Sequence, residues 1–171
     1  ISDGLTQVAN KRFLMDYLEK EFARAKRYSR QLSILMFDVD KFKDVNDTFG
    51  HLTGDYVLKE LAGLMKTRVR AEELLARYGG EEFVLVLPEY TREKALGFAE
   101  LLRTLVEEHD FDFEGQPIRV IVSIGVGSIA GGAEAAVELI KEADENMYEA
   151  KRNGRNRVCA HLTINSMSVN S

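Results

Sequence analysis

Two acidic pairs stand where acids are costly. Asp38 and Asp40 follow the apolar run Ile34-Leu35-Met36-Phe37, and Glu81 and Glu82 precede Phe83-Val84-Leu85-Val86-Leu87. A carboxylate at the end of an apolar strand is expensive to bury unless a cation or several donors meet it. If the two strands are neighbours in a sheet, both pairs meet at one edge. Clustered oxygen ligands of this kind suit Mg²⁺ or Mn²⁺, which take a few carboxylates while phosphates complete the shell. Each pair alone has a plainer reading, with Asp38 and Asp40 opening a loop and Glu81 and Glu82 solvated in a turn. Two such pairs, each fused to a buried strand, favour metal.

The elements that must position these acids are legible in the periodicity. Asn10 caps a helix predicted over 11–28, with Leu14, Leu18, Phe22 and Ala25 on one face. Residues 32–37 read as a central strand buried on both faces. Val57, Leu58, Leu61, Leu64, Met65 and Val69 recur at helical spacing. Residues 74–78 and 82–87 form a predicted β-hairpin whose glycine-rich turn, Gly79-Gly80, tolerates positive φ, and Pro88 ends its second strand. A helix over 92–107, a strand over 118–126 and a helix over 133–152, stopped by Asn153-Gly154, complete the expectation. This is one α/β domain, a central sheet flanked by helices.

The chain's 171 residues, 45% of them hydrophobic, suffice for one domain with a substantial core. A single cysteine, Cys159, excludes an internal disulfide and agrees with a reducing cytoplasm. The net charge of −5 argues against a nucleic-acid polymer as partner, while leaving room for a small anionic ligand met by local cations and metal. No apolar run approaches the ~18 residues of a membrane helix. Ile1-Ser2-Asp3-Gly4 carries neither an initiator methionine nor a signal pattern and reads as a cut inside a longer protein, one that a preceding region could anchor to a membrane. The polar segment 159–171 is expected to be poorly ordered.

Gly79-Gly80-Glu81-Glu82-Phe83 resembles the signature of the GGDEF family of diguanylate cyclases, in its variant with Glu at the third position. Further pieces of that family's pattern follow in order. They are Asp3-Gly4-Leu5-Thr6 with Asn10-Lys11-Arg12, then Asp38-Val39-Asp40-Lys41-Phe42-Lys43 and Asn46-Asp47. Phe49-Gly50-His51, Gly54-Asp55 and Arg77-Tyr78 come next, then Ser123-Ile124-Gly125 and finally Lys151 with Gly154-Arg155-Asn156. The resemblance spans residues 3–158. It implies a mostly antiparallel central sheet, similar to nucleotide cyclase and polymerase palm domains. It also implies the reaction, in which two GTP become cyclic di-GMP and two pyrophosphates across a homodimer, each protomer holding one GTP.

By the same resemblance Asp38, the carbonyl of Val39 and Glu81 hold two Mg²⁺ or Mn²⁺ ions, and Glu82 ligates metal or orients the attacking 3′-hydroxyl. Two metals would activate that hydroxyl and stabilise the leaving oxygen. Lys151 and Arg155, four apart at a helix end, can reach one phosphate group, their plainer role being cations at a helix C-terminus. Gly79 and Gly80 let the backbone approach phosphate, and Lys43 adds a phosphate contact unless it is an ordinary exposed lysine. Asn46 and Asp55 select the base. A carboxylate accepts the two adjacent donors of guanine, which adenine lacks. His51 reads as a supporting residue rather than a base.

Two other readings fit the same motifs less well. A non-catalytic module that binds GTP or cyclic di-GMP would usually lose the signature acids or a phosphate cation, and all are present here. A cyclase that also accepts ATP would usually carry a small polar residue at Asp55. Many family members also hold a cyclic di-GMP dimer on an Arg-x-x-Asp motif five residues before the signature. Here that register reads Arg70-Ala71-Glu72-Glu73, and the position of a second arginine falls on Leu101, with Arg103 two residues beyond. Product inhibition is therefore expected to be weak, and an i, i+3 surface pair is the plainer account of Arg70 and Glu73.

Overall fold

In the computed structural model, which describes residues 1–160, helix α1 (Lys11–Tyr28) leads into the central strand β1 (Leu32–Val39). Two helices follow, α2 (Phe42–Phe49) and α3 (His51–Lys66), then the hairpin β2 (Leu74–Arg77) and β3 (Glu82–Pro88). Helix α4 (Arg92–Glu108) precedes a small hairpin, β4 (Phe111–Phe113) with β5 (Gln116–Ile118). The chain closes through β6 (Val122–Ser128), α5 (Ala136–Arg152) and the short β7 (Val158–Cys159). Asn10 caps α1 as its sequence position requires, its side chain accepting from the Phe13 N–H at 2.9 Å.

The main sheet runs β2-β3-β1-β6-β7, antiparallel throughout except for the parallel β6–β7 edge. All eight residues of β1 are buried, because side chains on both of its faces meet apolar layers. Leu35, Phe37, Phe83 and Leu85 pack on the layer of α3 and α4, while Ile34, Met36, Val84 and Val86 pack on that of α1 and α5. Burying each such side chain is worth roughly 1.5–3 kcal/mol, so a polar residue at the end of these strands is held in a rigid frame. On the α5 side the fit is close enough to dictate residue type. A Cβ on Gly125 would lie 2.0 Å from the Ala143 carbonyl oxygen and 2.2 Å from the Met147 nitrogen. Only glycine lets helix and strand approach so nearly.

Two expectations need correction. Residues 42–49, to which the periodicity assigned no element, form α2, which turns into α3 at Gly50, where φ is +91°. The strand expected over 118–126 is two strands of different sheets, since Ile118 pairs with Phe111 whereas Val122 pairs with Val39. Its apolar run hides the change of partner. Pro88 ends β3 as expected, as its last residue, opposite Leu32. The expectation for 159–171 falls outside the described residues from 161 onward. Cys159 closes β7, and Ala160 is buried.

Candidate active site

Neighbouring strands do bring the two acidic pairs together. Asp38 and Glu82 face each other as the last registered pair of β1 and β3. Asp38 is only 3% exposed. Its Oδ2 accepts a hydrogen bond from the ammonium of Lys151, at the end of α5. Its Oδ1 is buried without any hydrogen-bond partner. Burial raises the carboxyl pKa to about 6, against the lowering effect of Lys151 and with the help of the nearby charges of Asp40 and Glu81. Glu82 is also raised, by burial first and then by the charge of Asp144 on α5. Burial thus makes two acids at one sheet edge more basic than ordinary carboxylates, as is common at functional sites.

Asp40 behaves differently. Its Oδ1 accepts from the Ser123 hydroxyl at 2.7 Å and its Oδ2 from the Asn156 N–H at 2.9 Å. Each oxygen has a protein donor, so Asp40 is tied into the fold where Asp38 Oδ1 is not. Among the described residues, no group of three or more His, Cys, Asp or Glu side chains forms a ready-made metal cage. The donor set instead fits a hard divalent cation bound by few protein oxygens and completed by substrate phosphates, with the orphaned Oδ1 of Asp38 as its anchor.

The signature turn is held from outside. Arg77, at the end of β2, donates from Nη2 to the Gly80 carbonyl at 2.7 Å and from Nε to the Gly79 and Gly80 carbonyls at 3.2 and 3.1 Å. Its Nη1 reaches both oxygens of Asp3, which also accepts from the N–H and hydroxyl of Thr6. Burial would raise Asp3, but the Thr6 hydrogen bonds and the Arg77 guanidinium bring it below the usual carboxylate value. This clamp escaped the sequence reading, although Asp3 and Arg77 both lie in the matched motifs. Gly79 and Gly80 are not at positive φ. A Cβ on Gly79 would stand 3.0 Å from Glu82 Oε1, a tight contact with the end of a flexible side chain. The N–H groups of Tyr78 and Gly79 share the Glu82 carbonyl.

The remaining sequence-predicted residues fall into separate places. Asn46, on α2, packs against Gly54 of α3, the residue before Asp55. A Cβ on Gly54 would lie 1.9 Å from Asn46 Oδ1, which is buried and unpartnered. Asp55 is half-buried, and His51 is exposed as the first residue of α3. Lys43 is exposed and paired with Asp47 at 2.6 Å, as an ordinary helix-surface lysine would be. Lys151 and Arg155 line different cavities. Lys151 borders one of about 460 Å³ with Glu82 and Asp144, and Arg155 one of about 570 Å³ with Asp40, Lys41, Asp44 and Arg119.

Glu73 is buried rather than part of a surface pair. It accepts from the Arg70 N–H at 3.0 Å and is bonded by the Tyr90 hydroxyl, whose pKa rises through burial and that contact. Arg103 is held by Glu100, Glu107 and Asn156, and Leu101 is exposed.

Fold and site together define an α/β domain with an acidic centre at the ends of neighbouring strands. The sequence profile of the family described as diguanylate cyclase, GGDEF domain, matches residues 1–157. This chain belongs to that family. Diguanylate cyclase A of Treponema denticola is 46% identical over 127 residues, covering 74% of this chain and 34% of its own length. Diguanylate cyclase DosC of Escherichia coli is 42% identical over 157 residues, 91% of this chain and 34% of the relative. The chain thus spans about a third of these curated relatives. The solved structure of the active GGEEF domain of a Vibrio cholerae diguanylate cyclase superposes with a TM-score of 0.85 at 39% identity, covering 92% of this chain and 99% of that one. The GGDEF domain of DgcB from Caulobacter crescentus, solved in complex with c-di-GMP, gives a TM-score of 0.89 at 32% identity, covering 93% and 92%. Among the described residues no helix is long and apolar enough to cross a membrane.

Proposed function

We propose that this chain condenses two GTP into cyclic di-GMP, releasing two pyrophosphates, with each protomer of a homodimer presenting one nucleotide to the other. The observation that carries this reading is the registered pair Asp38–Glu82, with a buried and unpartnered carboxylate oxygen beside it. In each half-reaction the 3′-oxygen of one GTP bonds to the α-phosphorus of the other, and the bond from that phosphorus to the β-phosphate oxygen breaks. Two such steps close the ring.

Asp38, the Val39 carbonyl and Glu81 would hold two Mg²⁺ or Mn²⁺ ions. When bound, these would offset phosphate charge and make the 3′-hydroxyl more acidic. The chain's own groups do the rest. Glu82, its carboxyl made more basic by burial, would orient the 3′-hydroxyl or ligate metal. Lys151, hydrogen-bonded to Asp38, would supply positive charge to phosphate, and Arg155 would meet phosphate from its own side. Asp55 and Asn46 accept from and donate to the guanine edge. Gly79 and Gly80 keep the phosphate approach open. A preceding sensory region in a longer protein would control how two such domains meet.

The test is incubation of the chain with GTP and Mg²⁺ and identification of the product by mass spectrometry, with specific activity followed against protein concentration. Cyclic di-GMP from GTP alone, with specific activity rising until dimers dominate, is the expected result. A chain that binds GTP and dimerises yet yields no cyclic di-GMP would instead be a binding module. That alternative is not favoured, because every acid and phosphate cation of the site is in place.

A further inference from the structure

Three consecutive residues after α5 adopt left-handed backbone: Gly154 at φ +124°, Arg155 at +65° and Asn156 at +46°. For two side-chain-bearing residues in succession this is unfavourable and persists only where surrounding contacts over-determine it. Those contacts converge on Asn156. Its backbone N–H donates to Asp40 Oδ2 at 2.9 Å, and its side-chain amide donates to Glu107. Its Oδ1 accepts from Arg103 Nη1 at 3.0 Å. The Arg155 N–H returns to the Ala150 carbonyl at 3.0 Å, and the Arg155 carbonyl accepts from Arg157 Nε at 3.0 Å.

Asp40 is the fixed point of this arrangement. It is 6% exposed, its other oxygen is bonded to Ser123 on β6, and its backbone N–H donates to the Ile121 carbonyl at 2.9 Å. One residue before it lies Val39, whose carbonyl belongs to the proposed cation site. Asp40 and Asn156 lie 116 residues apart in the chain, yet one carboxylate joins the two ends of the site.

We infer that Asp40, with Asn156, is a positioning residue: it fixes the left-handed turn that presents the Arg155 guanidinium to the cavity beside Asp40 and Lys41, and so sets the phosphate-binding geometry. This assignment rests on the reading of Arg155 as a phosphate ligand. It gives the second acid of the Asp38-Val39-Asp40 run a function distinct from cation binding.

The test combines a double-mutant cycle with amide exchange on the 171-residue chain. Affinity for a non-hydrolysable GTP analogue with Mg²⁺ is measured for the unsubstituted chain, Asp40→Asn, Arg155→Ala and the double variant. Asp40→Asn should weaken binding by about tenfold, the scale of one lost charge-assisted hydrogen bond. In the Arg155→Ala background it should add almost nothing, because Asp40 acts through Arg155. A general structural role would instead give additive losses, which would overturn the proposal. Hydrogen exchange at the Asn156 amide is followed in the same samples. It should lose protection in Asp40→Asn while the β1 and β3 amides keep theirs, and unchanged protection at Asn156 would also overturn the proposal. If Asp40→Asn does not fold, Asn156→Gly carries the same cycle, since glycine keeps the left-handed backbone and removes the ties to Glu107 and Arg103. Its loss of affinity must likewise vanish when Arg155 is Ala. Should the unsubstituted chain bind no nucleotide, the function reading fails, and the exchange result still decides whether Asp40 holds the turn.

Discussion

Across 113 residues of sequence, the ammonium of Lys151 is hydrogen-bonded to Oδ2 of Asp38, while Oδ1 of the same carboxylate is buried with no partner. Lys151 therefore meets one oxygen of this buried carboxylate and leaves the other open to the cation proposed above. Lys151→Ala leaves a buried charge unpaired and should destabilise the metal-free chain by about 1–2 kcal/mol, less than for a fully buried pair because Lys151 is partly solvated. Mg²⁺ with a GTP analogue should recover part of that loss by mass action. Asp38→Asn should abolish turnover without lowering the metal-free melting temperature. Thermal unfolding with chelator and with Mg²⁺ checks the stabilities, and an assay of cyclic di-GMP formation checks the turnover. A Lys151→Ala chain as stable as the unsubstituted one, or an active Asp38→Asn, would contradict this account.

A second expectation concerns the guanine end. Gly54 gives Asn46 its room, and a methyl group there would overlap Asn46 Oδ1 at 1.9 Å. Gly54→Ala should raise KM for GTP at least tenfold, about the loss of one good hydrogen bond with some misalignment. Asp55→Ser should relax discrimination against ATP, since it removes the paired acceptor. Competition assays with mixed GTP and ATP measure both. Unchanged selectivity in Asp55→Ser would remove Asp55 from base recognition.

Much of the frame was legible because each element carries a local cause. Asn10 announces α1, and the run from Ile34 to Phe37 announces a buried strand. The pairing of β1 with β3 was legible only as a condition, since register arises from contacts between strands distant in sequence. Helix α2 was missed because Phe42–Phe49 buries a single residue, Val45, and its N-terminal Lys41 offers no side-chain cap. At the site, residue types revealed Asp38 and Glu82 as anomalous acids. They could not reveal that Asp40 is satisfied by Ser123 and Asn156, nor that Arg77 ties the signature turn to Asp3. Both depend on donors brought in by other elements. Lys151 and Arg155 looked like partners at helical spacing, yet the chain leaves α5 at Asn153 and turns left-handed, so they face different cavities.

Stability should carry a pH signature from Glu142, remote from the nucleotide site. This buried carboxylate accepts from the Ser128 N–H at 2.6 Å, but its Oε2 has no partner. Burial raises its pKa above 4.5 despite that hydrogen bond and the charge of Arg92. A carboxyl raised in the folded state binds protons more tightly folded than unfolded. Its contribution is thus fully present below the ordinary value and is lost as pH rises through the folded one. Relative to Glu142→Gln, which does not titrate, the unsubstituted chain should lose melting temperature as pH rises from 4.5 toward neutrality. A difference that shifts in favour of the unsubstituted chain over that range would refute the assignment.

Product inhibition is expected to be weak, and the structure supplies a reason beyond the length of the Glu73 side chain. A bound cyclic di-GMP would need the Glu73 carboxylate for guanine donors and arginines for phosphate or the guanine Hoogsteen edge. Glu73 is 6% exposed and already serves the Arg70 N–H and the Tyr90 hydroxyl, so recruiting it means breaking buried hydrogen bonds and turning the side chain outward. Exposing it would cost on the order of 1–3 kcal/mol, a loss of roughly five- to a hundredfold in affinity. Arg70 is exposed and free to bind, but the second arginine is lacking. Leu101 occupies that position, and Arg103 is engaged by Glu100, Glu107 and Asn156. Calorimetric titration with cyclic di-GMP should show binding weaker than about 1 μM, a free energy near −8 kcal/mol, and initial rates should fall little as product accumulates. Submicromolar binding abolished by Arg70→Ala, with matching inhibition, would mean that Glu73 leaves its buried partners readily and that this reading of the site is wrong.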